Sequence, residues 1–363
     1  MRLAIVHDWL TGMRGGEKAL EVVCERFPNA EIFTLVHVRG SVSPTIERLR
    51  IHTSFVQRLP RVKKLYRHYL PLFPTAIEQF SFDGFDRILS LSHCCAKSVV
   101  HPARVPHLCY CLTPMRYAWD QFEAYFGAER IGRWSSAAMR PVMARLARWD
   151  RDTAGRADRY VAISHYVAGR IGRYYNRQAT VVYPPVDTDF FHPDATTPER
   201  FALIVSALVP YKRVGVAIAA CARAGVPLTI VGDGPERAAL ERDAPASTRF
   251  LGRVSDDEIR ALYRRAAVAL LPGEEDFGIV PLEAQACGRP VVALGRGGAV
   301  ETVKHGETGL LVDELSAEAF ADAIVDAVDR RFDASAIRRH AEQFGRSRFG
   351  DEIAALVAEP ASW

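Results

Sequence analysis

The residues best suited to chemistry lie in one string, Glu274-Glu275-Asp276-Phe277-Gly278-Ile279-Val280-Pro281-Leu282-Glu283-Ala284-Gln285-Ala286-Cys287-Gly288. Pro281 suits the first turn of a helix and Gly288 its C-cap, so a helix is predicted between them. Glu275 then falls in the loop before the helix and Glu283 in its first turn. The backbone N–H groups of Gly278 and Ile279 would face a phosphate there. Carboxylates beside an anion site make sense if each grips a diol, because a carboxylate accepts two hydroxyl hydrogen bonds. One such glutamate alone reads as well as a solvated or capping residue. The whole string in order points to a site.

Other groups could serve it. Tyr211-Lys212-Arg213 follows the apolar run Ala202–Ser206, and two cations at a strand's C-terminal edge could neutralise a diphosphate or simply meet solvent. Gly232-Asp233-Gly234-Pro235 follows Leu228–Val231, at the edge where open α/β sheets bind ligands. Gly12-Met13-Arg14-Gly15-Gly16-Glu17-Lys18 follows the opening strand. It lacks the G-x-G-x-x-G spacing and reads as an anion-binding turn or a tight βα turn. Arg116, Tyr117, Trp119 and Asp120 form a polar–aromatic cluster that would shape an acceptor pocket or anchor its own loop.

Several signals point away from metals and reactive thiols. Asp187-Thr188-Asp189 has a D-x-D spacing but no strand end to aim both carboxylates inward, so helix capping is expected. His7, His93, His101 and His107 show no metal-ligand spacing, and the seven cysteines contain no C-x-x-C pair. Reduced, buried thiols are the expectation, with Cys94 and Cys95 on opposite faces of their strand. No metal is predicted.

These residues need elements to hold them. A chain of 363 residues suggests two domains at roughly 150 residues each. Apolar runs alternate with helical patterns in two series. The first is Leu3–Val6, Ile32–Val36, Arg87–Leu91, Leu108–Cys111, Tyr160–Ile163 and Thr180–Tyr183; the second is Ala202–Ser206, Leu228–Val231, Thr248–Leu251, Ala267–Leu271, Pro290–Ala293 and Gly309–Val312. Such alternation predicts two largely parallel α/β sheets. Pro184-Pro185 makes a stiff link between the series, and a helical tail from about Ser316 to Ala358 has no strand of its own.

Charge is uneven along the chain. Residues 1–160 carry 24 Lys and Arg against 15 Asp and Glu, whereas the remainder carries 23 against 28. The basic half asks for an acidic partner. Residues 58–73 and 130–151 interleave Arg and Lys with aromatic residues and leucines, as a surface lying on anionic lipid would, or as solvated helix faces over a packed apolar side. No nucleic-acid module is recognised. The opening Met1-Arg2-Leu3-Ala4-Ile5-Val6-His7-Asp8 reads as a strand rather than a signal peptide, and a cytoplasmic protein, peripheral on the inner membrane face, is expected.

Taken together, Val209-Pro210-Tyr211-Lys212-Arg213, Val231-Gly232-Asp233-Gly234-Pro235, the string from Glu275 to Glu283, and Gly306-Glu307-Thr308-Gly309-Leu310-Leu311-Val312 resemble the donor half of glycosyltransferase family 4. The first half resembles a bacterial mannosyltransferase-like branch of that family through His7-Asp8-Trp9-Leu10, Ser92-His93 and Thr113-Pro114-Met115-Arg116-Tyr117-Ala118-Trp119-Asp120. The resemblance implies a retaining enzyme of GT-B architecture, with two Rossmann-like domains facing a cleft. It implies an acceptor-binding domain over residues 1–184, a nucleotide-sugar-binding domain over 185–339, and a C-terminal helix over 340–363 crossing back onto the first. By position, Glu283 would hold the nucleotide ribose and Glu275 the transferred sugar, with Lys212 on the donor diphosphate. Gly15 and Gly16 would approach the same phosphates, together with Arg213, Gly232 and Gly234. Backbone groups of Phe277, Gly278 and Ile279 would face sugar and phosphate. His93 is a further catalytic candidate; Asp8, Arg116, Tyr117, Trp119 and Asp120 are the substrate-side candidates.

The activity so implied is transfer of a hexose, mannose from GDP-mannose foremost, to a glycan or polyprenyl-diphosphate-linked acceptor in cell-surface polysaccharide synthesis. A UDP-sugar donor, a sugar-nucleotide epimerase and a non-catalytic sugar-nucleotide-binding protein are the alternatives. No cofactor beyond the donor is expected, and the donor phosphate itself would take the acceptor proton. Two positions depart from the pattern. Ala207 stands where many members have arginine, and Leu112 stands where a histidine often precedes Thr113-Pro114. The second leaves open a slower enzyme, a relocated role or an inactive copy.

Overall fold

The computed structural model describes residues 1–360, without the side chains of Ala124 and Arg130. The last three positions of the expected crossover helix and the Arg130 side chain of the second basic segment therefore lie outside the described residues. The chain divides into two compact units, one of residues 1–184 with 349 onward and one of residues 185–348.

The first unit holds strands β1 (Leu3–His7), β2 (Glu31–Thr34), β3 (Arg50–Thr53), β4 (Arg87–Ser92), β5 (His107–Cys111), β6 (Arg159–Ala162) and β7 (Ala179–Val181). They form one sheet in the order β3-β2-β1-β4-β5-β6-β7, every neighbouring pair parallel. Central strands of such a sheet are covered on both faces and so read as unbroken apolar runs; all five residues of β1 are buried. The edge strand β3, Arg50-Ile51-His52-Thr53, has two exposed and two half-buried residues. It carries no apolar run, which is why no strand is expected there from sequence.

The second unit holds β8 (Glu199–Val205), β9 (Leu228–Val231), β10 (Thr248–Gly252), β11 (Ala266–Leu271), β12 (Val291–Leu294) and β13 (Gly309–Val312), in the parallel order β10-β9-β8-β11-β12-β13. One face packs Ala217, Ile218 and Cys221 of the helix Val214–Ala224 with Phe320 and Ile324 of the helix Ala317–Asp329. The other packs Tyr263, Ala284, Ala286 and Ala341. In each unit the strand order runs outward in both directions from a central pair, leaving a switch point between β1 and β4 in one and between β8 and β11 in the other, where open α/β sheets present their loops to ligands.

The crossover starts later than residue 340. The His340 ring donates from Nε2 to the Thr302 carbonyl at 3.1 Å, and Phe344 lies 5.9 Å from Phe277, so these residues stay with the second unit. From Phe349 onward the helix Arg346–Ala358 belongs to the first. Phe349, Ile353 and Val357 are buried, with Phe349 5.4 Å from Tyr110 and Asp351 2.7 Å from Arg26.

The two basic segments cover one apolar cluster. Val62, Tyr66, Leu70 and Phe73 pack with Met143 and Leu146 of the helix Arg133–Asp152. Lys63, Lys64, Arg67, Arg145 and Arg148 are exposed outside it, and Trp134 is 91% exposed.

His107 gives the first unit a pH-dependent stability. Its Nδ1–H donates to the Arg156 carbonyl at 3.1 Å, and the Ser90 hydroxyl donates to Nε2 at 2.8 Å. Burial, and then the charge on His101, push the imidazole down from 6.5 to about 3. The unfolded chain thus binds a proton that the folded unit refuses. The contribution is complete above the ordinary imidazole value and is lost as the pH falls toward the folded one, at about 1.4 kcal/mol per pH unit. His107→Asn keeps an N–H for the Arg156 carbonyl and does not titrate. It is expected to flatten the acid limb of the urea midpoint between about pH 4 and pH 6; an unchanged limb would assign the dependence to other groups.

Candidate active site

The sequence-predicted residues of the second unit gather on three loops at the C-terminal edge of its sheet. The loop after β8 ends in a single tight turn, Pro210–Lys212, and Arg213 follows in the left-handed region at φ 53°. The loop after β9 carries Gly232 and Gly234. A Cβ on Gly232 would lie 1.8 Å from the Ser206 carbonyl oxygen, so the two loops run backbone against backbone, joined by Leu208 N–H to the Asp233 carbonyl at 3.1 Å. Only a residue without a side chain permits that approach.

The loop after β11 carries the acidic string. Gly273 lies against Tyr211 and Lys212, with 2.5 Å from its ideal Cβ to the Tyr211 oxygen, which brings this loop onto the β8 loop across the switch point. The backbone of Glu275 is held by Gly298 N–H, donating to its carbonyl at 2.7 Å. Lys212 Nζ then reaches Glu275 Oε1 as an ion pair, with the lysine 18% and the glutamate 11% exposed. Gly278, at φ 101°, opens the helix Ile279–Ala286, whose first N–H groups lack helical partners, as donors to an anion would.

Glu283 lies inside this helix, 6% exposed, and the Tyr263 hydroxyl stands 3.4 Å from its Oε2. Burial, and then the Glu283 charge, hold the Tyr263 hydroxyl protonated well above its ordinary range. The tyrosine is therefore a permanent donor, shared between the Glu283 carboxylate and the Val280 carbonyl, each at 3.4 Å. Gln285 donates to the Thr302 carbonyl at 2.9 Å and fixes the helix beneath. The arrangement offers one cation, a helix N-terminus and two carboxylates along a single loop–helix segment, which suits a phosphate with hydroxyl-bearing groups on either side.

In the first unit, Gly15 and Gly16 begin the helix Gly15–Arg26. Leu112 packs over the turn, its Cδ1 2.9 Å from where a Gly16 Cβ would lie. An apolar side chain fills the place beside the glycines.

Asp8, expected to touch substrate, is instead enclosed. Its carboxylate is fully buried and accepts four backbone N–H bonds, from His93 at 2.7 Å, Cys94 at 3.0 Å, Cys95 at 2.6 Å and Ala96 at 2.8 Å. It also meets His93 Nδ1 at 3.0 Å. Burial alone would push this carboxyl up, but His93 and the neighbouring His7 hold it far below the carboxylate range. Beneath it, His7 donates to the Leu91 carbonyl at 3.1 Å and lies 3.7 Å from Glu17. Burial there opposes the charge, yet Glu17 and Asp8 leave the imidazole raised.

The polar–aromatic cluster is anchored within its own unit. Trp119 Nε1 donates to Asp150 Oδ2 at 2.8 Å and stacks on Tyr174 at 4.6 Å. Asp120 pairs with Arg170 and Tyr174. Tyr117 meets Cys94 Sγ at 2.7 Å, while Arg116 starts the short helix Arg116–Trp119. For Trp119 and Asp120 these contacts are those of a loop anchor.

Metal and thiol signals stay quiet. Asp187 Oδ1 accepts from Phe190 N–H at 3.0 Å, which locks a turn; no helix starts there, so the expected helix cap is not what this aspartate does. Among the described residues one group, Asp8, Cys94 and Cys95, places potential ligand atoms within 4.8 Å, but both Asp8 oxygens are already occupied by backbone N–H groups. Burial pushes both thiols up, which makes them poor nucleophiles. Four features carry no short-range sequence signal: Gly273, Gly298, Tyr263 on Glu283, and the turn wrapped around Asp8. Each joins segments far apart in the chain.

The glycosyl transferases group 1 family matches residues 186–347. The chain is 33% identical over 229 residues to a GDP-mannose-dependent alpha-(1-6)-phosphatidylinositol monomannoside mannosyltransferase of Mycobacterium tuberculosis, covering 54% of this chain and 60% of that protein. It is 29% identical over 234 residues to a D-inositol 3-phosphate glycosyltransferase of Mycolicibacterium smegmatis, covering 58% and 54%. The chain thus spans between half and two thirds of these relatives. In fold, Anabaena Alr3699/HepE in complex with UDP superposes with a TM-score of 0.72 at 18% identity, over 99% of this chain and 100% of that one. Residues 186–347, nearly the whole of the second unit, are thus similar to the glycosyl transferases group 1 family, and the two-sheet chain has the GT-B fold.

Proposed function

We propose that the protein is a retaining hexosyltransferase that moves mannose from GDP-mannose to a glycan or lipid-diphosphate-linked acceptor. The observation that carries this reading is the Lys212–Glu275 pair at the mouth of the helix Ile279–Ala286, with Glu283 on the same segment. Lys212 and the N–H groups at Gly278 and Ile279 would neutralise the departing diphosphate, with Arg213, Gly232 and Gly234 beside it. Glu283, beside Tyr263, would accept the ribose hydroxyls. Glu275 would accept hydroxyls of the sugar. The 33% identical mannosyltransferase supports mannose and guanosine as the first choice. Within the first unit, Gly15 and Gly16 would approach a phosphate, and Arg116 and Tyr117 the acceptor. Membrane association rests on the exposed arginines and Trp134 above one apolar cluster; among the described residues no helix is long and apolar enough to cross a membrane.

A thermal-shift panel tests the donor site. GDP-mannose and GDP are expected to raise Tm, by an increment that grows with concentration as RT ln(1 + [L]/Kd), and UDP-glucose to do so less. Glu283→Ala should lose most of the response. A wild type that answers to no nucleotide, or a variant that responds equally well, would remove the reading. A preference for UDP-glucose would change the donor and keep the site.

A further inference from the structure

The helix Arg133–Asp152 turns one side to solvent along its length. At roughly 100° per residue Trp134, Ala138, Pro141, Arg145 and Arg148 share a face, and all five are exposed. The N-terminal half of that face is apolar and ends in Trp134, 91% exposed; the C-terminal half is cationic. The cationic half borders a cleft of about 450 Å³, lined by Arg145, Arg148, Trp149, Asp152, Thr153 and Arg156.

The charges of this cleft do not balance. Asp152 pairs with Arg151 at 3.3 Å and Arg156 with Glu78 at 2.7 Å. Glu78 also receives Trp149 Nε1 at 3.0 Å, and Arg156 Nη1 donates to the Ser98 carbonyl at 2.6 Å, so the indole and one guanidinium are fixed in the wall. Arg145 and Arg148 make no ion pair or hydrogen bond among the described residues. They stand at i and i+3 on the helix, where like charges repel. Complementing the helix dipole accounts for Arg148 at most, because that effect fades beyond the last turn. An anion between the two would relieve the repulsion, and planar guanidinium groups suit the free oxygens of a phosphodiester.

We infer that this cleft seats the phosphate of an anionic phospholipid headgroup, clamped by Arg145 and Arg148. The inference deepens the membrane association proposed for this surface and rests on it, and it is independent of the nucleotide site. The other end of the same face favours a lipid over a dissolved phosphate. A soluble anion has no use for an exposed tryptophan, whereas an indole settles at the headgroup level of a bilayer. By helical rise Trp134 and Arg148 are about 21 Å apart, and Ala138 and Pro141 put no charge between them. A helix so patterned lies flat in the interface, with both ends at one depth.

Cosedimentation of the full chain with vesicles tests this, using equimolar phosphatidylcholine and phosphatidylglycerol beside phosphatidylcholine alone. The wild type is expected on the mixed vesicles only. Arg145→Gln with Arg148→Gln should weaken binding about 30-fold, the loss of two cations held at an anionic surface. Arg145→Lys with Arg148→Lys keeps the charge but not the fork, and should still lose several-fold. Lys63→Gln with Lys64→Gln removes the same charge outside the cleft and should lose little. All four side chains are exposed, so each variant should melt with the wild type. Arg145→Lys with Arg148→Lys binding as well as the wild type would overturn the cleft and leave a diffuse attraction to the membrane. So would Lys63→Gln with Lys64→Gln binding as weakly as Arg145→Gln with Arg148→Gln. A wild type that ignores the mixed vesicles would strike the membrane reading as well. Should inorganic phosphate raise Tm, or a single-stranded RNA bind, through Arg145 and Arg148 while the vesicles do not, the ligand is that anion and the lipid assignment is wrong.

Discussion

Glu275→Gln is expected to bind free GDP several-fold more tightly than the wild type while its transfer rate falls by about 10²–10³-fold. In the unliganded protein the Lys212 charge is already engaged by Glu275, and both groups are largely shielded from water. A diphosphate arriving at the helix mouth must draw the lysine away from this partner, or share it. Removing the carboxylate charge frees the cation for the anion and lowers the cost of binding. The same substitution weakens the group that would grip the sugar's hydroxyls, so binding and turnover move in opposite directions. Calorimetric titration with GDP beside a radiolabelled transfer assay would show it. A variant that binds GDP less well would mean that Glu275 helps to form the anion site.

Lys97→Met is expected to destabilise the first unit by about 3–5 kcal/mol, the scale for leaving one member of a buried ion pair alone. Lys97 is 1% exposed and Asp150 is fully buried. Lys97 Nζ lies 3.0 Å from Asp150 Oδ1, donates to the Asp150 carbonyl at 2.6 Å and sits 4.6 Å above the Tyr175 ring. Asp150 Oδ2 also receives Trp119 Nε1 at 2.8 Å and the Tyr175 hydroxyl at 2.9 Å. With the ammonium gone, the carboxylate keeps two neutral donors in an apolar setting. Urea denaturation should show a lower midpoint, and Lys97→Met with Asp150→Asn should recover part of the loss. Equal stability of the single variant and the wild type would mean that water reaches Asp150 freely.

Much of this was legible from residue order alone. Central parallel strands announce themselves because both faces are buried, and the acidic string announces itself because loop, helix start and carboxylates are consecutive. The Lys212–Glu275 pair was reachable only as two separate motifs; their meeting depends on Gly273 pressed against Tyr211, a contact made through tertiary structure. Asp8 misled for the same reason. A carboxylate after a strand looks like a ligand group until the turn at residues 93–96 folds over it from more than eighty positions away. Edge strand β3 was hidden because an exposed strand needs few apolar residues. The start of the crossover is not legible in the sequence because amphipathic periodicity runs through the helix Ala334–Glu342 and the helix that follows, and does not say which sheet each one covers.

The return of residues 349–358 to the first unit has a bearing on biosynthesis. Tyr110, Arg26 and Arg159 find their partners in Phe349, Asp351 and Glu359, all encoded after the whole of the second unit. A nascent chain emerges from its N-terminus onward, so the earliest-made module waits with an uncovered apolar patch while the later one is still being synthesised. Nonsense or frameshift lesions beyond codon 348 would therefore injure the part of the protein translated first, leaving the second unit whole and the first prone to aggregate.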